Sequence, residues 1–235
     1  MLEKLKNEVC KANLLLVKEG LVVRTWGNAS GVDRARGLMV IKPSGVPYER
    51  LRPQQMVIVE LGTGRVVSGT LRPSSDAPTH RLLYEAYRGI GGIAHTHSMH
   101  ATAWAQARRA IPPLGTTHAD YFPGPVPCTR ALRPEEIAGE YEANTGRVII
   151  ECLGAADPPE AAGVLVASHA PFTWGKDVHD AVEHAVILEH IARLAAETLA
   201  LAPSSPPIDA ALLTRHFTRK HGPGATYGQQ KREKR

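Results

Sequence analysis

The chain has 235 residues, of which 43% are hydrophobic and 22% charged, a balance typical of a single globular domain. The net charge of +5 favours an anionic small substrate, whereas 5% aromatic residues are too few for base stacking and argue against a nucleic-acid partner. No apolar run approaches the ~20 residues of a membrane span, and the three cysteines lack Cys-x-x-Cys spacing, so we expect a cytoplasmic protein without membrane association, disulfides or a thiolate metal site.

The first part of the chain predicts one helix and then short strands. Apolar residues recur at three- and four-residue steps from Leu2 to Leu16, and Gly20 follows, which indicates an amphipathic helix with a glycine terminator. Four β-type runs separated by glycine- and proline-rich turns predict an antiparallel meander: 21–26, 38–41, 56–61 and 65–67.

The second part alternates helices with strands. We predict helices at 79–87 and 100–108 around a strand at 91–97, a helix beginning at Pro134, and strands at 147–152 and 164–169. Asp177 is predicted to cap a long helix through residue 199, and a last helix covers 208–220. This order predicts an α/β fold in which helices enclose a mixed sheet.

Histidines mark the ends of two predicted strands. His95 and His97 are two residues apart, so their imidazoles share a strand face and suit the binding of one cation. His169 ends the strand at 164–169 and is a third candidate ligand. Because a His-x-His pair is a weak motif, ordinary hydrogen-bonded histidines remain an alternative at this point.

Three loops rich in glycine, serine and asparagine predict a phosphate site. They cover residues 25–30, 41–46 and 72–76, and the second contains Lys42. Glycine permits close backbone approach, small polar side chains supply hydrogen bonds, and a lysine adds charge. Ordinary turns are the alternative for any single loop. No loop matches a P-loop or a dinucleotide Gly-x-Gly-x-x-Gly motif, which disfavours ATP and NAD.

Six ordered motifs resemble the class II aldolase/epimerase/adducin-head family, and within it the L-ribulose-5-phosphate 4-epimerases. They are Trp26-Gly27-Asn28, Lys42-Pro43-Ser44-Gly45, Pro73-Ser74-Ser75-Asp76, His95-Thr96-His97-Ser98, residues 115–121 and Tyr227-Gly228-Gln229. The resemblance implies a three-layer α/β/α sandwich with a largely antiparallel central sheet. It also implies one catalytic domain over residues 1–229, followed by a basic tail at 230–235, and a homotetramer with active sites between subunits.

The resemblance also implies site residues and an activity. A divalent metal, usually Zn²⁺ with Mn²⁺ or Co²⁺ as alternatives, would be held by His95, His97 and His169, with Asp76 beside or on the ion. The phosphorylated ketopentose would be bound by Gly27, Asn28, Lys42, Ser44, Gly45, Ser74 and Ser75. Asp120 and Tyr227 would relay protons, and Glu142, His216 and Arg219 would complete the site from a neighbouring subunit.

The implied reaction interconverts L-ribulose 5-phosphate and D-xylulose 5-phosphate in L-arabinose-type pentose catabolism, by retro-aldol cleavage, rotation of the aldehyde and re-addition. An aldolase acting on L-fuculose 1-phosphate is the nearest alternative, although Asp76 stands where such aldolases usually carry glutamate. A non-catalytic adducin-like module is the third, although the histidine triad is intact. Relatives also tend to carry histidine at Ala167 and glycine at Ala170, which puts a supporting contact of the metal in doubt.

Overall fold

Seven strands form one antiparallel sheet in the computed structural model, which describes residues 2–221 and 225–226. The strands are β1 (Asn28–Asp33), β2 (Leu38–Ile41), β3 (Val57–Glu60), β4 (Val66–Ser68), β5 (Gly92–His95), β6 (Gly163–Leu165) and β7 (Pro171–Gly175). Across the sheet their order is β4-β3-β2-β1-β5-β7-β6, and each pair of neighbours is antiparallel. The only parallel contact within the described residues is an isolated bridge between Cys128 and Leu165, so the sheet is antiparallel rather than mixed.

Helices cover both faces of the sheet, which confirms the three-layer α/β/α architecture. None of the helices in the described part of the chain is long and apolar enough to cross a membrane. They are α1 (Glu3–Lys18), α2 (Ala77–Ala86), α3 (Met99–Gln106), α4 (Thr116–Ala119), α5 (Pro134–Ala138), α6 (Tyr141–Leu153), α7 (Val178–Leu201) and α8 (Ala210–His221).

Side-chain alternation along the strands divides the core in two. In β2, Val40 packs with α1 and α7 on one face, whereas Met39 and Ile41 pack with α2 and α6 on the other. In β3, Ile58 lies on the first face. Because both faces are buried, β2 is apolar throughout and β3 is apolar up to its last residue, Glu60, as is typical of a central sheet between helical layers.

The predicted strand at 147–152 is wrong, because these residues belong to α6. The β-branched run suggested a strand, but Thr145, Val148 and Ile149 are buried on one side of the helix. Gly146 lets α6 approach α2 closely: a Cβ at this position would lie 3.2 Å from atoms of the Leu82 side chain. Packing between two helices therefore overrides the β propensity of the segment.

Two further differences affect the site. Residues 21–26 form a loop rather than a strand, with Arg24 in the left-handed region at φ 53°. Residues 167–169 form a turn between β6 and β7, so His169 lies outside a strand, and β7 itself was not predicted. Ser168 has φ 63° in this turn, which redirects the chain and brings His169 towards β5.

Candidate metal centre and phosphate pocket

Three imidazoles form a compact triangle at the end of β5. The ring centroids of His95, His97 and His169 are separated by 5.0, 5.0 and 5.1 Å. One ligand atom from each ring lies within 4.8 Å of the other two. Three nitrogen donors at this spacing can surround one divalent cation and leave further coordination positions open. The structure thus brings together the three ligands predicted from the sequence.

The protonation of the triad suits metal binding. Nδ1 of His95 lies 2.9 Å from the carbonyl oxygen of Pro171, which can only accept, so the ring donates from Nδ1 and Nε2 is the nitrogen left to face a ligand. Burial, reinforced by His95, lowers the pKa of His97 and of His169 to about 4, so both rings are neutral at physiological pH. Nδ1 of His169 is buried and has no hydrogen-bond partner among the described residues, as expected of a ring that binds a ligand. The donor set therefore fits a divalent metal.

Asp76 lies beside the triad, at the N-terminus of α2. Its Oδ2 accepts a 2.7 Å hydrogen bond from the side-chain amide of Asn28. Burial alone would raise the pKa of Asp76, but the neighbouring imidazoles of His95 and His80, together with the Asn28 amide, hold that pKa below its usual range. Asp76 is thus an ionised carboxylate that adds negative charge next to the three histidines.

Helix α3 is hydrogen-bonded at both of its ends to segments that lie next to the candidate metal ligands. Two N–H groups of its first turn, those of His100 and Ala101, donate to the carboxylate of Glu189 on α7 at 2.9 Å. At its other end, the carbonyl of Ala105 accepts from the Ser168 N–H at 2.8 Å, in the turn that carries His169. The helix therefore fixes the backbone beside His97 and beside His169 at the same time.

One cavity of about 360 Å³ contains both the metal ligands and the predicted phosphate loops. Every predicted residue of the phosphate cradle lines it, as do Asp76, the three histidines and Glu142. Glu142 lies in the cavity of its own chain, and its contribution to a neighbouring subunit stays a prediction. The cavity wall also includes residues to which no role was assigned from the sequence: Thr25, Trp26, Pro43 and Tyr141.

Lys42 is the one lysine among the described residues that line this cavity, and it is buried. Its Nζ lies 3.4 Å from the carbonyl oxygen of Thr25 and 4.6 Å from the ring centroid of Tyr48. Burial lowers the pKa of Lys42 to about 8, although Asp76 acts in the opposite direction. A phosphate dianion would supply the missing counter-charge for this ammonium group.

Asp120 lies in a second cluster, outside the lining of this cavity. Its carboxylate accepts from His216 Nδ1 at 2.9 Å and from Arg219 at 3.0 Å, and Lys220 Nζ lies 3.2 Å away. Burial would raise the pKa of Asp120, but the three α8 side chains outweigh it and lower that pKa. The structure thus brings together the predicted Asp120, His216 and Arg219, while the predicted Tyr227 lies outside the described residues.

A family model for the Class II Aldolase and Adducin N-terminal domain matches residues 7–196. This chain belongs to that family. This chain is also similar to the L-ribulose-5-phosphate 4-epimerase UlaF of Salmonella paratyphi B (strain ATCC BAA-1250 / SPB7), with 57% identity over 229 residues, covering 97% of this chain and 100% of the relative. The protein of the same name from Salmonella typhi gives the same identity and coverage.

Solved structures agree on the family fold. An L-fuculose 1-phosphate aldolase superposes with a TM-score of 0.77 at 22% identity, covering 91% of this chain and 94% of that chain. A sugar-phosphate aldolase from Thermotoga maritima gives a TM-score of 0.68 at 19% identity, with coverages of 85% and 96%. At these identities the likeness establishes the class II aldolase fold.

Proposed function

We propose that this chain is a metal-dependent L-ribulose-5-phosphate 4-epimerase that interconverts L-ribulose 5-phosphate and D-xylulose 5-phosphate. The observation that carries the proposal is the end-to-end similarity, at 57% identity, to relatives of that name. The cavity supports it independently, because one space holds three imidazoles and a set of groups suited to binding phosphate. Such a cavity suits a phosphorylated sugar whose oxygens reach a metal.

The phosphate would occupy the end of the cavity formed by the loops around Lys42. Lys42 supplies positive charge, Ser44, Ser74 and Ser75 supply hydroxyl groups, and the glycines at 27 and 45 let the backbone approach the phosphate. Gly45 has φ 67° and open space where a Cβ would stand. Binding the phosphate in this way holds one end of the substrate while the reacting end lies beside the histidines.

Epimerisation at the fourth carbon needs no redox cofactor, because the bond between the third and fourth carbons can break and re-form. Cleavage gives glycolaldehyde phosphate and the enediolate of dihydroxyacetone, and addition to the other face of the aldehyde inverts the centre. A divalent cation held by His95, His97 and His169 would supply electrophilic stabilisation of negative charge on substrate oxygens. The phosphate loops keep the aldehyde fragment bound while its carbonyl turns.

Proton transfer must take place on both faces of that carbonyl, and we assign it to Asp120 and Tyr227. Since Asp120 is not part of the cavity wall of its own chain, the proposal requires a second copy to supply it. A homotetramer with sites between subunits meets that requirement. His216 and Arg219 then hold the Asp120 carboxylate in place, and Glu142 completes the polar wall near the sugar.

A class II aldolase with the same fold is the second candidate function. The solved aldolases share the architecture, but their sequence identities of 22% and 19% are far below that of the epimerase relatives. Asp76 also favours the epimerase, because aldolases of this type usually carry the longer glutamate there, which reaches the substrate as a base. The complete triad disfavours a purely structural, adducin-like module.

We further propose Zn²⁺ as the native ion, with Mn²⁺ or Co²⁺ as alternatives, because neutral imidazoles suit several divalent metals. The three cysteines are unpaired, which fits a reducing compartment, and we propose the cytoplasm and a role in pentose catabolism.

A coupled assay with L-ribulose 5-phosphate tests the proposed reaction. Formation of D-xylulose 5-phosphate that depends on added divalent metal is the expected result. Net release of a free aldehyde without the xylulose product would instead identify an aldolase. Full activity after the metal has been removed with a chelator would contradict a metal enzyme.

A further inference from the structure

Tyr48 lies directly behind the phosphate loops without lining the cavity. It begins a short 3-10 turn, Tyr48–Arg50, and is 3% exposed. Its hydroxyl lies 2.8 Å from the carbonyl oxygen of Gly27 and 3.1 Å from that of Trp26. Because a carbonyl oxygen only accepts, the phenol donates its single proton, which is shared between the two carbonyls with Gly27 the nearer, and burial raises the pKa of Tyr48 so that this proton is retained. One side chain therefore holds two consecutive peptide groups of the loop.

The ring of the same tyrosine supports Lys42. The ammonium group lies 4.6 Å from the ring centroid, within the range of a cation–π interaction. Within residues 2–221 and 225–226, no carboxylate lies at ion-pair distance from Lys42. The Lys42 ammonium group is thus positioned by its contacts with the π face of Tyr48 and the carbonyl oxygen of Thr25.

The loop held by Tyr48 is fixed on its opposite side by the metal-binding strand. Gly27 has φ 79°, and a Cβ there would lie 2.8 Å from the carbonyl oxygen of His95. The next residue, Asn28, is paired with His95 in the sheet. The segment from Trp26 to Gly27 therefore contacts both the Tyr48 hydroxyl and β5. The ring of the same tyrosine contacts Lys42.

We propose that Tyr48 is a positioning residue for phosphate binding, which acts by holding the Lys42 ammonium group on its ring and the carbonyls of Trp26 and Gly27 on its hydroxyl. This inference rests on the proposed function in one respect, namely that the substrate carries a phosphate. It predicts that changes at Tyr48 weaken binding of the phosphate group while leaving the metal site and the chemical step largely intact.

Two substitutions separate the two contacts of Tyr48. Tyr48→Phe keeps the ring and removes the hydroxyl, and we expect a ~3- to 10-fold higher KM for L-ribulose 5-phosphate. Tyr48→Leu also removes the π face and should raise the KM ~10- to 30-fold. In both variants kcat should stay within about threefold of the wild-type value, since the metal ligands are unchanged. The dissociation constant for inorganic phosphate, measured by calorimetry on the metal-loaded protein, should rise in parallel.

Tyr87→Phe is the matched control. Tyr87 is also a buried tyrosine whose hydroxyl donates to a backbone carbonyl, that of Gly154 at 2.8 Å, but it lies outside the cavity lining. We expect this variant to lose thermal stability without a change in KM or in phosphate affinity. In a double-mutant cycle, Tyr48→Leu should raise the KM less in a Lys42→Met background than in the wild type, because the ring then has no ammonium group to hold.

The phosphate titration keeps this inference separate from the proposed reaction. If the wild-type protein binds inorganic phosphate but does not convert L-ribulose 5-phosphate, the proposed reaction is wrong. The role of Tyr48 is then still tested by the phosphate affinities of its variants. Unchanged phosphate affinity in Tyr48→Phe, the milder variant, together with an unchanged KM, would overturn the role of Tyr48. So would a wild-type protein that does not bind phosphate, or kcat and KM changes in Tyr48→Phe equal to those in Tyr87→Phe.

Discussion

The Nδ1 atom of His95 donates a hydrogen bond to the carbonyl oxygen of Pro171, 2.9 Å away on the neighbouring strand β7. The sheet itself thus favours the tautomer of His95 that leaves Nε2 as the nitrogen open to a metal. Phe172, the residue paired with His95, stacks on the His95 ring with centroids 4.1 Å apart. A ligand oriented by main-chain and aromatic contacts needs little reorganisation when it binds a cation.

His97→Asn tests the metal assignment. Removing one of three imidazoles should lower the metal content of the purified protein and abolish epimerase activity, because losses of 10- to 100-fold are typical even for contacts one step removed from a metal. Elemental analysis and circular dichroism measure the metal and the fold. His190→Asn, at an exposed position of α7, is the control and should keep full metal content. An active, fully loaded His97→Asn enzyme would remove His97 from the ligand set.

Lys42→Met tests the phosphate cradle. A charge-assisted contact with phosphate is worth about 1.5 to 3 kcal/mol, so we expect the KM for the sugar phosphate to rise by roughly 10- to 150-fold. Steady-state kinetics measure the effect, and Lys176→Met, whose side chain is 80% exposed, serves as the control. Normal substrate binding by Lys42→Met would place the phosphate elsewhere.

The pH dependence of KM follows from the same residue. Burial lowers the pKa of Lys42 to about 8, so its ammonium charge is complete below that pH and is lost as the pH rises through it. The substrate phosphate stays a dianion over this range, since its second pKa is about 6. The KM should therefore increase above about pH 8 in the wild type and change much less in Lys42→Met. A KM that is flat from pH 7 to 9.5 in both proteins would contradict this prediction.

Asp120→Asn should reduce epimerisation by ~10²- to 10⁴-fold, the usual effect of removing a general acid or base, and Tyr227→Phe should do the same. Bond cleavage, followed by isotope exchange or trapping of the aldehyde, should suffer less in one of the two variants, because a proton relay on one face still regenerates the starting isomer. Equal and near-normal epimerisation in both would exclude these residues as the relays.

Mixed oligomers of Asp120→Asn and His97→Asn distinguish a shared site from one within a single chain. If the two residues come from different subunits, random mixing restores both native residues in about one quarter of the sites. Co-expression followed by activity measurement would detect this recovery. Sites built within one chain would stay inactive in every mixture, since each chain carries one of the two defects.

Glu189→Gln tests the support of α3. The carboxylate accepts from two N–H groups of the helix's first turn, and its loss should cost ~1 kcal/mol, which lowers the melting temperature by about 2 to 4 °C. Burial would raise the pKa of Glu189, but the N–H groups of Ala101 and His100 outweigh it and lower that pKa. The stabilisation is thus present above the unfolded pKa of ~4.3 and is lost as the pH falls further. Thermal melts at pH 7 and 4 should show a smaller difference between variant and wild type at the lower pH.

Local patterns predicted most of the helices, several of the strands, the histidine triad and the glycine- and serine-rich loops, whereas the other candidate site residues were implied by the family resemblance. The helix before Gly20, the Asp177 cap and the strands at 38–41 and 56–61 were predicted because each has a clear periodicity or terminator. Segment 147–152 was mispredicted because its helical state depends on contact with α2, which no local pattern records. Tyr141 was missed for the same reason: it begins the helix α6, and only that helix brings it into the cavity.

The arrangement of Asp120 could not be predicted from spacing. Its partners His216, Arg219 and Lys220 are about a hundred positions further along the chain, so their contact depends on how α8 packs against α4. The resemblance assigned roles to three of these four residues, and Lys220 was not among them. Residues that meet through tertiary packing of helices leave no periodic signal in the sequence.

The close contact between Gly27 and the His95 carbonyl has a consequence for the size of the substrate. Because the loop proposed to bind phosphate packs against the strand that carries His95, backbone contacts limit how far the loop and the candidate metal ligands can move apart. We therefore expect ketose phosphates one carbon shorter or longer to bind their phosphate normally and to react slowly, which a comparison of kcat across four-, five- and six-carbon substrates would measure.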